Sequence, residues 1–287
     1  MKKCACIIVN YNNADDVERL VNQIKGYKTF EIIIIVDNCS TDDSVMQLSK
    51  IVTKGVCLVK TEKNGGYGAG NNYGIKLAHQ CGCEIAVIAN PDVEFSEECM
   101  EDILRTFSAN PDCAVATARQ LTGQGKYKGG DVWNVPSPLL YSISSLYLVS
   151  KLFCKPIKLD ATKKYQRVEC VAGSLLAVDI KKFHSVGGYD ESMFLYCEET
   201  LLGLKMKQKG YPCYVLPNSE YRHHHATSTS KSIPSIVKRK KMMLDNRTYL
   251  IKKYMKAGIA LQVIAKICFA ISLIEESMKV VIRKIYK

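Results

Sequence analysis

Four short apolar runs near the amino terminus, Cys4 to Val9, Ile32 to Val36, Val56 to Val59 and Ile85 to Ala89, constrain the fold more than any other feature. Each is rich in β-branched residues and reads as a buried strand. Between them lie helix-compatible stretches, Asp15 to Ile24, Asp42 to Lys50 and Gly70 to His79, and Glu97 to Phe107 supplies a fourth helix. Asp15 and Asp42 stand at or near helix starts, where a carboxylate satisfies free backbone donors and opposes the dipole. The alternation predicts an α/β fold with a mostly parallel central sheet flanked by helices.

From Gly123 to Lys164 the pattern weakens, and Gly129, Gly130, Pro136, Pro138 and Pro156 would break any long element, so this stretch reads as a loop-rich insertion. Patterning resumes with a strand over Val168 to Ile180, a helix over Glu198 to Lys209 closed by Gly210, and a strand over Cys213 to Leu216. The 287 residues, 47% of them hydrophobic, suit one domain over residues 1–230 with a helical C-terminal region over 231–287.

Charge supports that division. Of the net +12, the segment Lys238–Lys287 carries +10, leaving +2 for the first 237 residues. A nearly neutral body with a basic end is unlike a nucleic-acid-binding domain, whose cations line the fold itself. The thirteen cysteines are odd in number, and none is spaced Cys-x-x-Cys. Met1 to Val9 is too brief for a signal peptide's apolar core. Reduced, buried thiols and a cytoplasmic location are the expectation.

The polar residues cluster where strands end, and open α/β sheets bind ligands there. Asn10, Tyr11 and Asn12 follow the first strand, Asp37 to Asp42 the second, and Asn64 to Asn72 the third. Asp37 can accept hydrogen bonds from a base or ribose and Ser40 can cap a helix; a simple capped turn is the alternative. Asn64, Gly65, Gly66, Tyr67, Gly68, Ala69, Gly70, Asn71 and Asn72 allow backbone to approach a ligand and, ahead of a helix, can turn donors toward phosphate. A ligand-free turn is the other reading, whereas a dinucleotide fingerprint fails because Asn71 stands where its last glycine should. Asn90, Pro91 and Asp92 project a carboxylate beyond the sheet edge, suited to a hard divalent cation or to a turn alone.

Later segments extend the series: Gly173-Ser174, Gly187-Gly188-Tyr189-Asp190, Phe194-Leu195-Tyr196-Cys197-Glu198-Glu199 and His223 to Ser228. The ordered set, spread over about 220 residues, resembles the family 2 glycosyltransferases with a GT-A fold, of the bacterial rhamnosyl- and galactosyl-type that build cell-surface polysaccharide. The resemblance implies a Rossmann-like nucleotide-binding half in which Asp37 contacts the nucleoside. Asn10, Tyr11, Asn12, Asn64, Gly65, Gly68, Asn71 and Asp92 would surround the donor. It places Asp92 at the metal-binding position, with His223 as a further ligand and Mn²⁺ or Mg²⁺ as cofactor, and puts Gly173 and Ser174 on the acceptor side. The acidic pair would supply the base, Glu199 matching its position and Glu198 standing as fallback. Adjacent helical residues lie about 100° apart, so one of the two faces the acceptor. The chain departs from the pattern at Asn90, where an aspartate is usual, at Glu198-Glu199, where Glu-Asp is usual, and at Leu201, where a further aspartate is frequent.

The implied activity is inverting transfer from a UDP- or dTDP-sugar to a lipid-linked or growing saccharide in capsule or exopolysaccharide assembly. Two alternatives stay open: a sugar-nucleotide-binding inactive homologue at the membrane, and a nucleotidyltransferase, although the latter needs a glycine-rich basic loop after the first strand. The basic tail from Ser235, with Lys266 interrupting its apolar stretch Ile259 to Ile274, is too broken to cross a bilayer. It suits an anionic membrane surface at the inner face of the cell membrane, or packing on the body or on another subunit in a homodimer.

Overall fold

The computed structural model describes residues 2–224, 233 and 235–285, which divide into two compact units. The first comprises 2–134, 157–194 and 198–224; the second comprises 135–156, 195–197 and the described residues from 233 onward. In the first unit the expected strands are β1 (Cys4–Asn10), β2 (Ile32–Asp37), β3 (Val56–Lys60) and β4 (Ile85–Ala89), all parallel. Helices α1 (Ala14–Ile24), α2 (Ser44–Ser49) and α3 (Gly66–Gln80) connect them. Val17, Leu20, Val21 and Ile24 recur at helical spacing on α1 and are buried. Alternate residues of β1 enter different cores, Cys4, Cys6 and Ile8 on one face and Ala5 and Ile7 on the other, as strand geometry requires.

After β4 come β5 (Val93–Glu94), α4 (Glu97–Ala109) and β6 (Val115–Thr122). Sequence reading passed over β6, in which Arg119 and Gln120 interrupt the apolar run. The supposed loop-rich stretch contains β7 (Val132–Trp133) and two helices of the second unit, α5 (Pro138–Ile143) and α6 (Tyr147–Phe153). Proline here starts a helix instead of breaking one: Pro138 sits in the first turn of α5, behind the cap Ser137.

The strand expected over Val168 to Ile180 is three pieces, β8 (Gln166–Val168), β9 (Cys170–Val171) and β10 (Leu175–Asp179). The break at 172–174 lets β9 pair with β7 in a small sheet while β10 joins the main one. Helices α7 (Ile180–Ser185) and α8 (Glu198–Gln208) precede β11 (Cys213–His223), which continues beyond Leu216 after a register shift between Leu216 and Glu220. The main sheet runs β3-β2-β1-β4-β10-β6-β11-β5, with β8 also on β11. Because β10 is antiparallel to β4, its start at Leu175 lies beside Ala89, at the carboxyl end of the parallel strands.

The second unit is completed by α9 (Ile236–Lys253) and α10 (Ile259–Ile285). Arg247 of α9 donates to the Tyr141 carbonyl at 3.1 Å and stacks on that ring, and Ser272 of α10 donates to the Ser145 carbonyl at 2.6 Å. No helix among the described residues is long and apolar enough to cross a membrane.

Candidate active site

At the carboxyl ends of β1, β2 and β3 the loops are laced together by short polar side chains. Asp37 is completely buried, and both its oxygens are engaged: Asn10 Nδ2 donates to one at 2.9 Å and the Ser40 backbone N–H to the other at 2.9 Å. Asn12, held at φ 51°, receives the Thr41 N–H on Oδ1 at 2.8 Å and gives its own backbone N–H to Ser40 Oγ at 3.0 Å. Asn38 carries the lacing onward, donating to Asn64 Oδ1 and to the Gly66 carbonyl, both at 3.0 Å. Tyr11 remains half-buried between these loops.

The glycine-rich segment is the first two turns of α3, which begins at Gly66 and not at Gly70. Its glycines make room for neighbours within the protein. A Cβ on Gly70 would come within 2.9 Å of Val9, on Gly68 within 3.0 Å of Tyr189, and on Gly74 within 2.4 Å of Ile7. Gly65 caps the helix start. Asn71 is buried, donating to the Tyr67 carbonyl at 3.0 Å, while Asn72 receives the Tyr189 N–H and donates to the Tyr189 carbonyl, each at 3.0 Å.

Asp92 and His223 meet. β5 pairs antiparallel with the end of β11, placing His223 opposite Val93, and the Asp92 carboxylate lies 3.2 Å from His223 Nε2. Both side chains are largely buried. Two ligands on adjacent octahedral positions at 2.0–2.1 Å stand about 3 Å apart, so this oxygen and nitrogen fit one edge of a divalent metal's shell. Among the described residues no set of three His, Cys, Asp or Glu is placed to hold a metal. The remaining positions would fall to ligand oxygens and water. His224 is turned aside, its Nε2 lying 3.2 Å from Glu94. The expected motif beyond residue 224 lies outside the described residues.

Glu199 occupies a niche made by an absence. A Cβ on Gly173 would sit 2.6 Å from Glu199 Oε1 and 2.9 Å from the Tyr67 hydroxyl. That hydroxyl donates to the Gly173 carbonyl at 2.7 Å, fixing the turn from which the Gly173 N–H reaches the carboxylate. Burial pushes the Glu199 carboxyl above its ordinary pKa, against the lowering by the N–H groups of Gly173 and Glu199 itself. Burial, then the neighbouring tyrosine and the two glutamates, raise the Tyr67 phenol, and burial chiefly raises Tyr189, so both rings stay neutral. Glu198 is more deeply buried than Glu199. Ser174 is also buried; its hydroxyl meets Gln120 Oε1 at 2.9 Å and the Tyr221 hydroxyl at 2.8 Å.

These groups share one sheet edge and are joined by contacts. The Asp37 loop reaches Gly66 through Asn38, Tyr67 reaches Gly173, and the Ser174 carbonyl accepts the Asn90 N–H at 2.8 Å, two residues before Asp92. Sequence reasoning missed Tyr67, Asn72, Gln120, Tyr189 and Tyr221 as parts of the frame. Tyr67, Asn72 and Tyr189 lay within quoted motifs; Gln120 and Tyr221 gave no local signal.

The family model described as "Glycosyl transferase family 2" matches residues 5–159, more than half of the chain. The chain belongs to glycosyl transferase family 2. Among curated relatives, the "Low-salt glycan biosynthesis hexosyltransferase Agl10" of Haloferax volcanii is 27% identical over 194 residues, 67% of this chain and 58% of the relative. The "N-acetylglucosaminyl-diphospho-decaprenol L-rhamnosyltransferase" of Mycobacterium tuberculosis is 25% identical over 248 residues, 78% of this chain and 77% of the relative. Among solved structures, GalNAc-T7 with UDP, GalNAc and Mn²⁺ matches with a TM-score of 0.62 at 16% identity, over 78% of this chain and 44% of that one. The mannosyltransferase PcManGT from Pyrobaculum calidifontis, in complex with GDP-Man and Mn²⁺, matches with a TM-score of 0.60 at 14% identity, over 96% and 75%. The fold is GT-A, and the chain spans less than two thirds of Agl10 and of GalNAc-T7.

Proposed function

We propose that this family member is an inverting glycosyltransferase that moves a sugar from a UDP- or dTDP-sugar to a lipid-linked or growing saccharide in cell-surface polysaccharide assembly. The observation that carries the reading is the lodging of Glu199 against Gly173, at the sheet edge shared with Asp92 and His223. A carboxylate whose proton affinity is raised by burial is a better base than one in water. Glu199 takes the proton of the acceptor hydroxyl as that oxygen attacks the anomeric carbon, and the nucleoside diphosphate leaves from the opposite side. That single displacement inverts the anomeric centre, by the logic that governs inverting glycosidases.

Asp92 and His223 would hold Mn²⁺ or Mg²⁺ together with donor oxygens. The ion would offset charge on the departing diphosphate. Asp37, enclosed and with both oxygens hydrogen-bonded, serves the donor by holding Asn10 and Ser40 in place, leaving Tyr11 and the loop backbone to face the nucleoside. We assign the same supporting role to Asn64, Gly65, Gly68 and Asn71. The acceptor reading draws on the relative named for a diphospho-decaprenol substrate. Residues 235–287 would hold the protein at the inner face of the membrane, and a homodimer is the other use of that segment.

A thermal-shift screen of UDP- and dTDP-sugars, each with and without Mn²⁺ or Mg²⁺, tests the donor half. Stabilisation by one nucleotide class, enhanced by metal, is expected; no shift with any of them sinks the reading.

A further inference from the structure

We propose that the second unit binds anionic lipid bilayers through one patch built jointly from α6 and α10, with Lys151 and Lys279 as its headgroup contacts. This deepens the peripheral placement proposed above, since it brings in a segment that ends more than eighty residues before the basic tail.

The patch has an apolar part and a cationic part. On α6, Leu148, Leu152 and Phe153 are 69%, 66% and 68% exposed, the first two one helical turn apart. On α10, Ile264, Ile267, Ile271, Ile274, Met278 and Val281 recur at steps of three and four, and every one is exposed. The opposite face of α10 supplies the packing, through Ala265, Cys268, Phe269 and Ser272. Solvated proteins seldom leave so many large apolar side chains together on a surface without a partner for them.

Tyr147 joins the two helices. Its backbone N–H donates to Glu275 at 3.1 Å, and over its ring stand Lys151 Nζ at 4.6 Å and Lys279 Nζ at 4.4 Å from the centroid. Two ammonium groups from different helices thus converge on one half-exposed tyrosine, beside Ile274 and Met278 of the apolar stripe. Glu275 accepts the Tyr147 N–H and Glu276 lies 3.8 Å from Lys279, so these two carboxylates offset part of the local positive charge. Residues 135–156 contain no Asp or Glu, and exposed Lys155, Lys266 and Arg283 add further positive charge.

Charge chooses the occupant. Apolar side chains bordered by cations suit the acyl and headgroup layers of an anionic membrane, with tyrosine at the boundary. A two-fold pairing would set the same cationic patch against its own copy.

The test is co-sedimentation of the full chain with phosphatidylcholine vesicles, with and without phosphatidylglycerol. Binding only to the anionic vesicles is expected. Lys151→Gln with Lys279→Gln should weaken it about 30-fold, at about 1 kcal/mol per lysine, and Leu148→Glu with Leu152→Glu should release the protein. Unchanged melting temperatures would exclude unfolding as the cause. If the unsubstituted protein ignores anionic vesicles, the peripheral reading and this patch fall together. Normal binding by both double variants removes the patch alone. A dimer in light scattering that Leu148→Glu with Leu152→Glu splits would give the surface to a second copy and overturn the proposal.

Discussion

Glu199 and Gly173 are a matched pair: the acid fits because the neighbouring residue has no side chain. Replacing Gly173 by Ala should therefore lower kcat and leave the KM for the nucleotide sugar nearly unchanged, in steady-state kinetics. Tyr67→Phe removes the hydroxyl that fixes the Gly173 carbonyl and should shift the acid limb of the kcat profile, because the N–H reaching Glu199 is no longer held. Glu199→Gln should cost about 10²- to 10⁴-fold in kcat, the usual range for losing a positioned base. Its effect on stability has a definite sign. A carboxyl with a raised folded pKa is equally protonated in both states at low pH, and destabilises the fold as pH rises from the unfolded pKa through the folded one. Glu199→Gln should hence melt at or above the temperature of the parent at neutral pH, with the difference vanishing in acid. At this scale the proposed base and the proposed metal-side carboxylate were legible as candidates, since both stand in recognisable motifs. It hid Tyr67 and Gly173 as a unit, because their relation depends on a contact across 106 residues.

At the scale of elements, α3 shows what its glycines are for. Gly74→Ala would drive a methyl to 2.4 Å from Ile7, so overpacking of about 1–3 kcal/mol is expected in chemical denaturation, with little change in donor affinity once folded. The four amino-terminal strands were legible because continuous β-branched runs have few other uses. β6 and the far half of β11 were not, since both mix polar residues into strands whose pairing is long-range. That far half delivers His223 to Asp92. His223→Ala should raise the Mn²⁺ concentration needed for half-maximal activity about 10- to 100-fold, the range seen when a metal site loses a supporting partner. An unchanged metal titration would remove His223 from the site.

For the whole molecule, the thirteen thiols offer a simple measurement. None forms a disulfide; Cys81 and Cys154 are exposed, and burial raises Cys99 and Cys213 to about 12. A thiol reagent at neutral pH should titrate Cys81 and Cys154 quickly, the half-buried Cys39, Cys57 and Cys197 slowly, and the remaining eight only after denaturation. Composition had already suggested inert thiols, whereas the division into units was harder to read, because residues 135–156 leave the sheet unit and return. The niche at position 173 also bears on how such chains can diverge. An aspartate at 199 is one methylene shorter and would relieve the closest contact of a methyl at 173, leaving the Tyr67 hydroxyl at 2.9 Å as the neighbour that must still give way. The two positions are thereby tied in size: a lineage that shortens its acid gains licence to enlarge the turn, and one that enlarges the turn first passes through a crippled form.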